Sequence, residues 1–191
     1  MHNWRRYILQ ITEKTLSVES IFKGRVVDLR VEKVQLPDGS ESVRELVDHR
    51  GAVAIVAITS PGKVLLVKQY RKALDRETLE LPAGLLEPGE KPETCAVREL
   101  EEETGYKAGE VIPLTKYYTS PGFTNEIVHI YLAKNLTLTK QNLDEDEFVQ
   151  VEELELPHLL EMLNSGKIMD GKTITGILAT QNYLKEGKVF W

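Results

Sequence analysis

Hydrophobic residues are spaced differently in three stretches of the chain. In the first fifty residues Val27, Leu29 and Val31 alternate with polar neighbours, and Pro37-Asp38-Gly39 marks a turn before a second extended piece at 42–47. That is the pattern of a small antiparallel meander. Residues 52–58 and 64–67 are instead near-continuous apolar runs separated by Pro61-Gly62, which suits two paired strands of a sheet covered on both faces. A layered α/β core is expected to begin there. Pro92 is placed to open a helix that ends at Gly105, a residue able to take the left-handed C-terminal conformation. Further strands are expected at 117–118 and 127–132. The last part turns helical, with Leu159, Leu160 and Leu163 after Pro157, then Ile174, Ile177, Leu178 and Leu184 before Gly187. These two helices are expected to cover the sheet.

With 191 residues, 41% hydrophobic and 28% charged, the chain can bury one substantial core. The organisation expected is a β region at 1–50, too few strands to bury a core alone, followed by a catalytic-sized α/β domain at 51–191. A net charge of −6 gives no positive field to draw in a phosphate backbone, so nucleic-acid binding is disfavoured. No apolar run approaches bilayer length, and residues 1–6 lead into no apolar signal segment, so a soluble, cytoplasmic protein without membrane attachment is expected. Cys95 has no second cysteine to pair with, and His2, His49, His129 and His158 lack zinc-ligand spacing. A metal, if used, should be a hard ion held by oxygen.

The acid is concentrated. Between Gly84 and Tyr106 seven glutamates face only Lys91 and Arg98, a net −5 over 23 residues that leaves −1 for the rest of the chain. So dense a cluster repels itself unless it is solvated or holds a cation. Within it Gly84, Glu90, Arg98-Glu99-Leu100, Glu102-Glu103 and Gly105-Tyr106 spell G-x5-E-x7-R-E-L-x-E-E-x-G-Y. At ordinary residue frequencies a chance match at these positions is on the order of 10⁻⁹ per window. Glu99, Glu102 and Glu103 stand at i, i+3 and i+4, so one helical face carries all three. Such carboxylates suit Mg²⁺, with Mn²⁺ as the alternative, and leave room for water and phosphate oxygens. Gly84 lets the preceding loop come close, so that the Ala83 carbonyl could complete the coordination. Arg98 and Glu90 read as an ion pair that orients the ligands. Glu87, Glu93 and Glu101 lie outside the pattern and read as a solvated face, and Cys95, Ala96 and Leu100 as core contacts.

The pattern resembles the Nudix box, with one departure: the last position, usually aliphatic, is Tyr106. The resemblance implies an α/β/α sandwich with a mixed sheet, preceded by a small N-terminal antiparallel β region, and hydrolysis of nucleoside diphosphates linked to another moiety. Residues 143–148, Leu-Asp-Glu-Asp-Glu-Phe, resemble the acidic loop that in ADP-ribose pyrophosphatases supplies the general base and a metal ligand. This makes Glu145 the base and Glu147 the added ligand, with the reverse order open. Residues 120–126, Ser-Pro-Gly-Phe-Thr-Asn-Glu, resemble a segment of the same group with a proline about fifteen residues past the box, implying substrate contacts from Gly122, Phe123 and Glu126. Lys68-Gln69-Tyr70-Arg71 is similar to a strand end whose arginine meets the substrate; Arg71 is a natural bidentate phosphate donor. Arg44 is a candidate for the nucleobase end, with a plain surface role equally open. The group also implies a homodimer that exchanges N-terminal strands.

The activity implied is cleavage of ADP-ribose or another ADP-sugar to AMP and sugar phosphate. A GDP-mannose or broader nucleotide-sugar hydrolase is the nearest alternative, since Leu154-Glu155-Leu156-Pro157 and Asp170-Gly171-Lys172-Thr173 resemble that branch. A noncatalytic nucleotide-sensing module is the third reading, against which the intact Glu99, Glu102 and Glu103 stand.

Overall fold

The computed structural model describes residues 11–59, 62–143, 145 and 147–189. Residues 1–6, Pro61, Asp144 and Asp146, each touched by the sequence reading, lie outside them. The chain forms two compact units, one of residues 1–49 with 120–125 and one of 50–119 with 126–191.

The first unit is a three-stranded antiparallel sheet in the order β1 (Lys14–Lys23), β2 (Asp28–Gln35), β3 (Glu41–Asp48). The β2–β3 turn falls where Pro37-Asp38-Gly39 placed it: Gly39 has φ 88°, and the Asp38 carboxylate accepts from the Ser40 N–H at 2.9 Å. Residues 120–125 join this unit through the Val47 N–H, which donates to the Phe123 carbonyl at 2.8 Å, and the His49 N–H, which donates to Asn125 Oδ1 at 2.9 Å. The sheet buries little. Every residue of β1 is exposed, including Leu16, Val18, Ile21 and Phe22, and Val34 is the one core residue the described unit contributes.

The second unit holds the core. β4 (Ala52–Ala57) lies between β10 (Ile127–Lys134), with which it runs parallel, and the short β7 (Ala83–Leu85); β9 (Glu110–Tyr118) completes a mixed sheet. A second sheet has the order β12 (Val149–Glu155), β5 (Lys63–Arg71), β6 (Arg76–Glu80), and β8 (Tyr106–Lys107) pairs with β11 (Thr137–Leu138). The expected pairing of the two apolar runs is therefore corrected. β4 and β5 belong to different sheets and meet at a single bridge, Ile58 to Val64, because both edges of each strand are already taken.

Three helices complete the unit: α1 (Pro92–Thr104), α2 (Leu156–Asn164) and α3 (Gly171–Glu186). The continuous apolar run of β4 is explained by burial on both faces. Val53, Ile55 and Ala57 pack with Cys95, Ala96 and Leu100 of α1, while Ala54 and Val56 pack with Leu159 of α2 and Ile177 of α3. Each such fully buried Ile, Leu or Val contributes roughly 1.5–3 kcal/mol. Sandwiching a mixed sheet between helices gives an α/β/α arrangement, and it fixes α1 by one face. Tyr106, the departure from the usual pattern, packs at the margin of the α1 core. Among the described residues no helix is long and apolar enough to cross a membrane.

Candidate active site

Helix α1 is the candidate site because its buried stripe is not purely apolar. Pro92 occupies its first turn, and Gly105 ends it at φ 73°, its N–H donating to the Glu101 carbonyl. Cys95, Ala96, Leu100, Glu103 and Thr104 are buried along it, so a glutamate stands where core geometry calls for an apolar side chain. Buried charges need a partner or a metal. Glu103 is 4% exposed and accepts the Ala83 N–H at 2.9 Å. Burial pushes its carboxyl up to about 8, opposed by the Ala83 N–H and reinforced by repulsion from Glu99 and Glu147. Ionising it without a cation is therefore disfavoured.

Glu99 stands one turn earlier. Burial raises its carboxyl to about 7; Arg98 opposes this, and Glu102 and Glu147 add repulsion. Gly84 makes room for it: a Cβ there would lie 1.9 Å from Glu99 Cδ, so no side chain larger than hydrogen fits while Glu99 keeps its place. Glu102 is the most exposed of the three.

Arg98 does more than expected. Its Nε and Nη2 grip Glu90 at 3.0 and 2.9 Å, the pairing read from the sequence. Its Nη1 also reaches Glu99 at 2.7 Å and Glu102 at 2.9 Å, and Nη2 reaches the Leu85 carbonyl at 3.3 Å. The Arg98 bonds to Glu90, against the opposing effect of burial and helped by the Glu87 N–H, hold the Glu90 carboxyl down at about 2. The expected convergence of three carboxylates is accordingly partial. Among the described residues no three acidic, histidine or cysteine side chains stand together as a metal-holding group, because Arg98 spans Glu99 and Glu102 while Glu103 turns to Ala83. The donor set nonetheless fits a hard divalent cation: oxygen donors only, Glu103 buried and Glu99 part-buried against their preference for charge, and a loop kept bare at Gly84.

Glu147 belongs to this field, since its charge raises both Glu99 and Glu103; Glu145 is exposed. The segment leading to the acidic loop is tied to the end of α1. The Thr139 N–H donates to the Gly105 carbonyl at 2.7 Å, Gln141 Nε2 to that of Glu103 at 2.6 Å, and the Asn142 N–H to that of Glu102 at 2.9 Å. These bonds satisfy carbonyls a helix end leaves unpaired. A cavity of about 380 Å³ beside the loop is lined by Lys68, Tyr70, Glu77, Glu147 and Phe148 among others.

Arg71, at the end of β5, is half-exposed and feels the charge of Glu103. Glu126 accepts from Thr119 Oγ1 at 2.7 Å. Arg44, Gly122 and Phe123 belong to the first unit, where Arg44 pairs with Glu13 and Phe123 is half-exposed. Glu87 and Glu93 are exposed as expected, whereas Glu101 is half-buried. Burial first, then Glu99, pushes the Cys95 thiol up to about 12, consistent with a core contact. The sequence reading missed Glu80, a 2% exposed carboxylate on β6; its signal was a charged residue set between Leu79 and Leu81.

Comparison with known proteins adds the family. The NUDIX domain model matches residues 48–170. The chain belongs to the Nudix family. The N-terminal domain model of nucleoside diphosphate sugar hydrolases matches residues 13–47 of this Nudix protein. It is 52% identical to an ADP-ribose pyrophosphatase of Bacillus subtilis (strain 168), over 92% of this chain and 95% of the relative. It is 49% identical to a methanol dehydrogenase activator of Bacillus methanolicus, over 91% and 96%. A GDP-mannose pyrophosphatase of Salmonella paratyphi B (strain ATCC BAA-1250 / SPB7) is 38% identical over 69% and 73%. A crystal structure of an ADP compounds hydrolase superposes with a TM-score of 0.82 at 24% identity, covering 92% of this chain and 95% of that one, and shares its fold.

Proposed function

We propose that this Nudix hydrolase cleaves the diphosphate of ADP-ribose and related ADP-sugars, giving AMP and a sugar phosphate. The observation that carries the reading is a pair of glutamates on the helix of the box, part-buried Glu99 and buried Glu103, raised to about 7 and 8. The relative named as an ADP-ribose pyrophosphatase over nearly the whole chain supports the substrate class.

Glu99, Glu102 and Glu103, with the Ala83 carbonyl and Glu147, would hold Mg²⁺ or Mn²⁺. The chemistry such a cation supplies is neutralisation of the diphosphate and a lowered pKa for the attacking water. Glu145 takes the proton from that water in this assignment, and Arg71 binds phosphate oxygens through its planar fork. Glu90 fixes Arg98 and through it the orientation of Glu99 and Glu102. Glu126, Arg44, Gly122 and Phe123 are assigned to the sugar and nucleoside on the sequence resemblance.

Residues 1–50 are read as a dimerisation region and 51–191 as the hydrolase domain. The homodimer is supported by β1, whose large apolar side chains Leu16, Val18, Ile21 and Phe22 are exposed. A cytoplasmic location is supported by the single, buried, unpaired Cys95.

Purified protein should release AMP and ribose 5-phosphate from ADP-ribose with Mg²⁺ and lose that activity in EDTA. Release of GMP from GDP-mannose with ADP-ribose left intact would overturn the substrate assignment in favour of the branch represented by the GDP-mannose pyrophosphatase.

A further inference from the structure

A second buried carboxylate lies away from the helix. Glu80, the last residue of β6, has its side chain 3% exposed and is surrounded by donors from three elements. Arg71 Nε and Nη2 bond it at 2.8 and 2.7 Å, Thr78 Oγ1 at 2.5 Å, and Lys172 Nζ from the first turn of α3 makes a short ion pair with it. Lys172 is itself shared with Asp170 at 3.1 Å, and Asp170 caps α3 by accepting the Thr173 N–H at 3.0 Å. Thr173 Oγ1 in turn accepts the Leu81 N–H at 2.9 Å, next to Glu80. The network therefore locks the end of β6 to the start of α3 from both sides.

A merely structural ion pair accounts for Glu80 and Lys172 but not for the placing of Arg71. The guanidinium uses only Nε and Nη2 on Glu80, and Nη1 donates to none of the described residues. The side chain remains 41% exposed beside a carboxylate that is almost wholly hidden. Glu80 also divides its one negative charge between two cations, so Arg71 is oriented without being fully neutralised. A flexible arginine that is fixed in advance loses less entropy when it takes up an anion.

We propose that Glu80 is a positioning residue: it holds Arg71 with its free edge presented to the diphosphate of the substrate, and so acts on substrate binding rather than on bond cleavage. This deepens the functional reading above and rests on it.

The test is a double-mutant cycle on ADP-ribose at saturating Mg²⁺, with wild type, Glu80→Gln, Arg71→Ala and the double variant. Glu80→Gln is expected to raise KM about 10-fold, the scale of one charge-assisted hydrogen bond, with kcat within about 3-fold. In the Arg71→Ala background the same change is expected to raise KM less than about 2-fold. Thr78→Val, which removes one donor to Glu80 without leaving a buried charge, gives a milder version: about a 3-fold rise in KM that vanishes when Arg71 is alanine. It keeps the proposal testable should Glu80→Gln not fold. Equal KM effects of Glu80→Gln or Thr78→Val in both backgrounds, a loss confined to kcat, or no KM change in Arg71→Ala alone would each overturn the proposal. If wild type leaves ADP-ribose intact, the substrate reading fails separately, and the cycle is read on the nucleotide sugar that is turned over.

Discussion

Glu80 and Glu103 are both buried carboxylates in the same unit, and they sit at opposite ends of the carboxylate range. Burial pushes Glu80 up, but the hydrogen bonds of Arg71 and the charge and bond of Lys172 overcome it and bring the group to about 2. Glu103 receives a single backbone N–H and two repulsive neighbours, and stays at about 8. Glu80 has its cations built in from the chain; at the other site Arg98 bonds Glu99 and Glu102 but leaves Glu103 with no bonded cation among the described residues. Proteins rarely leave an ionisable group so placed unless the site serves a function. Under the proposed assignments, the contrast separates an ion network complete within the chain from a cluster whose charge balance would depend on a ligand.

The sharpest way to break the contrast is to remove the charge that lacks a partner. If Glu103 is a metal ligand as proposed, Glu103→Gln should cut kcat with ADP-ribose by about 100-fold or more. The melting temperature of the metal-free variant at pH 8.5 should equal or exceed that of wild type, since the group that resists ionisation is gone. Circular dichroism melts beside steady-state assays decide this; a variant with near-normal turnover would remove Glu103 from the metal set.

Gly84→Ala tests the same side without touching a charge. The new Cβ would fall on the Glu99 carboxylate, 1.9 Å from Cδ, so Glu99 must move. Activity should fall about 10- to 100-fold, as for other disturbances of a ligand's support, while the melting temperature moves little. Retained activity would show that the place Glu99 occupies is not the one catalysis needs.

Glu90→Gln is expected to be milder, a loss of about 5- to 10-fold, near the lower end of what supporting residues show. Arg98 keeps its bonds to Glu99 and Glu102 when Glu90 is neutral. A loss as large as that of Glu103→Gln, measured as kcat/KM, would mean that the Arg98 fork, and not the carboxylates alone, sets the geometry.

The two sites were unequally legible in the sequence, for physical reasons. Helix α1 announced itself because its bounds are local: Pro92 and Gly105 act within a turn of where they stand, and Glu99, Glu102 and Glu103 are related by helical spacing alone. β4 was equally clear, since an unbroken apolar run requires two covered faces. The partner of β5 was not, because β12 lies some eighty residues on and an apolar run along β5 says nothing about which strand takes each edge. Glu80 escaped for the same reason. Arg71 is nine residues away but Lys172 is 92 away, so only the folded chain reveals that a charge between two leucines is buried and paired. β1 resisted in another way: its apolar residues stay exposed within its own unit, against the rule by which strands are usually recognised.

The smallest expected effect, and the one that compares the two carboxylate environments in a single protein, is the pH dependence of stability. Glu99 and Glu103, at about 7 and about 8 in the folded protein, hold protons that an unfolded chain has released above roughly pH 4.5. Their contribution is fully present below that value and is lost as pH rises through 7 and 8, so the metal-free protein should weaken on the alkaline side. Glu80, at about 2, has the opposite sign: its contribution is present above roughly pH 4.5 and is lost as pH falls toward 2. A divalent cation favours the ionised forms of Glu99 and Glu103 and should leave Glu80 alone. The rise in melting temperature on adding Mg²⁺ should therefore be larger at pH 8.5 than at pH 6, by about 3 °C for each kcal/mol of added stabilisation in a chain of this size. Glu80→Gln should leave that difference unchanged, whereas Glu103→Gln should reduce it. A Mg²⁺ shift that is the same at both pH values would separate the raised carboxylates from the metal and undo the distinction between the two sites.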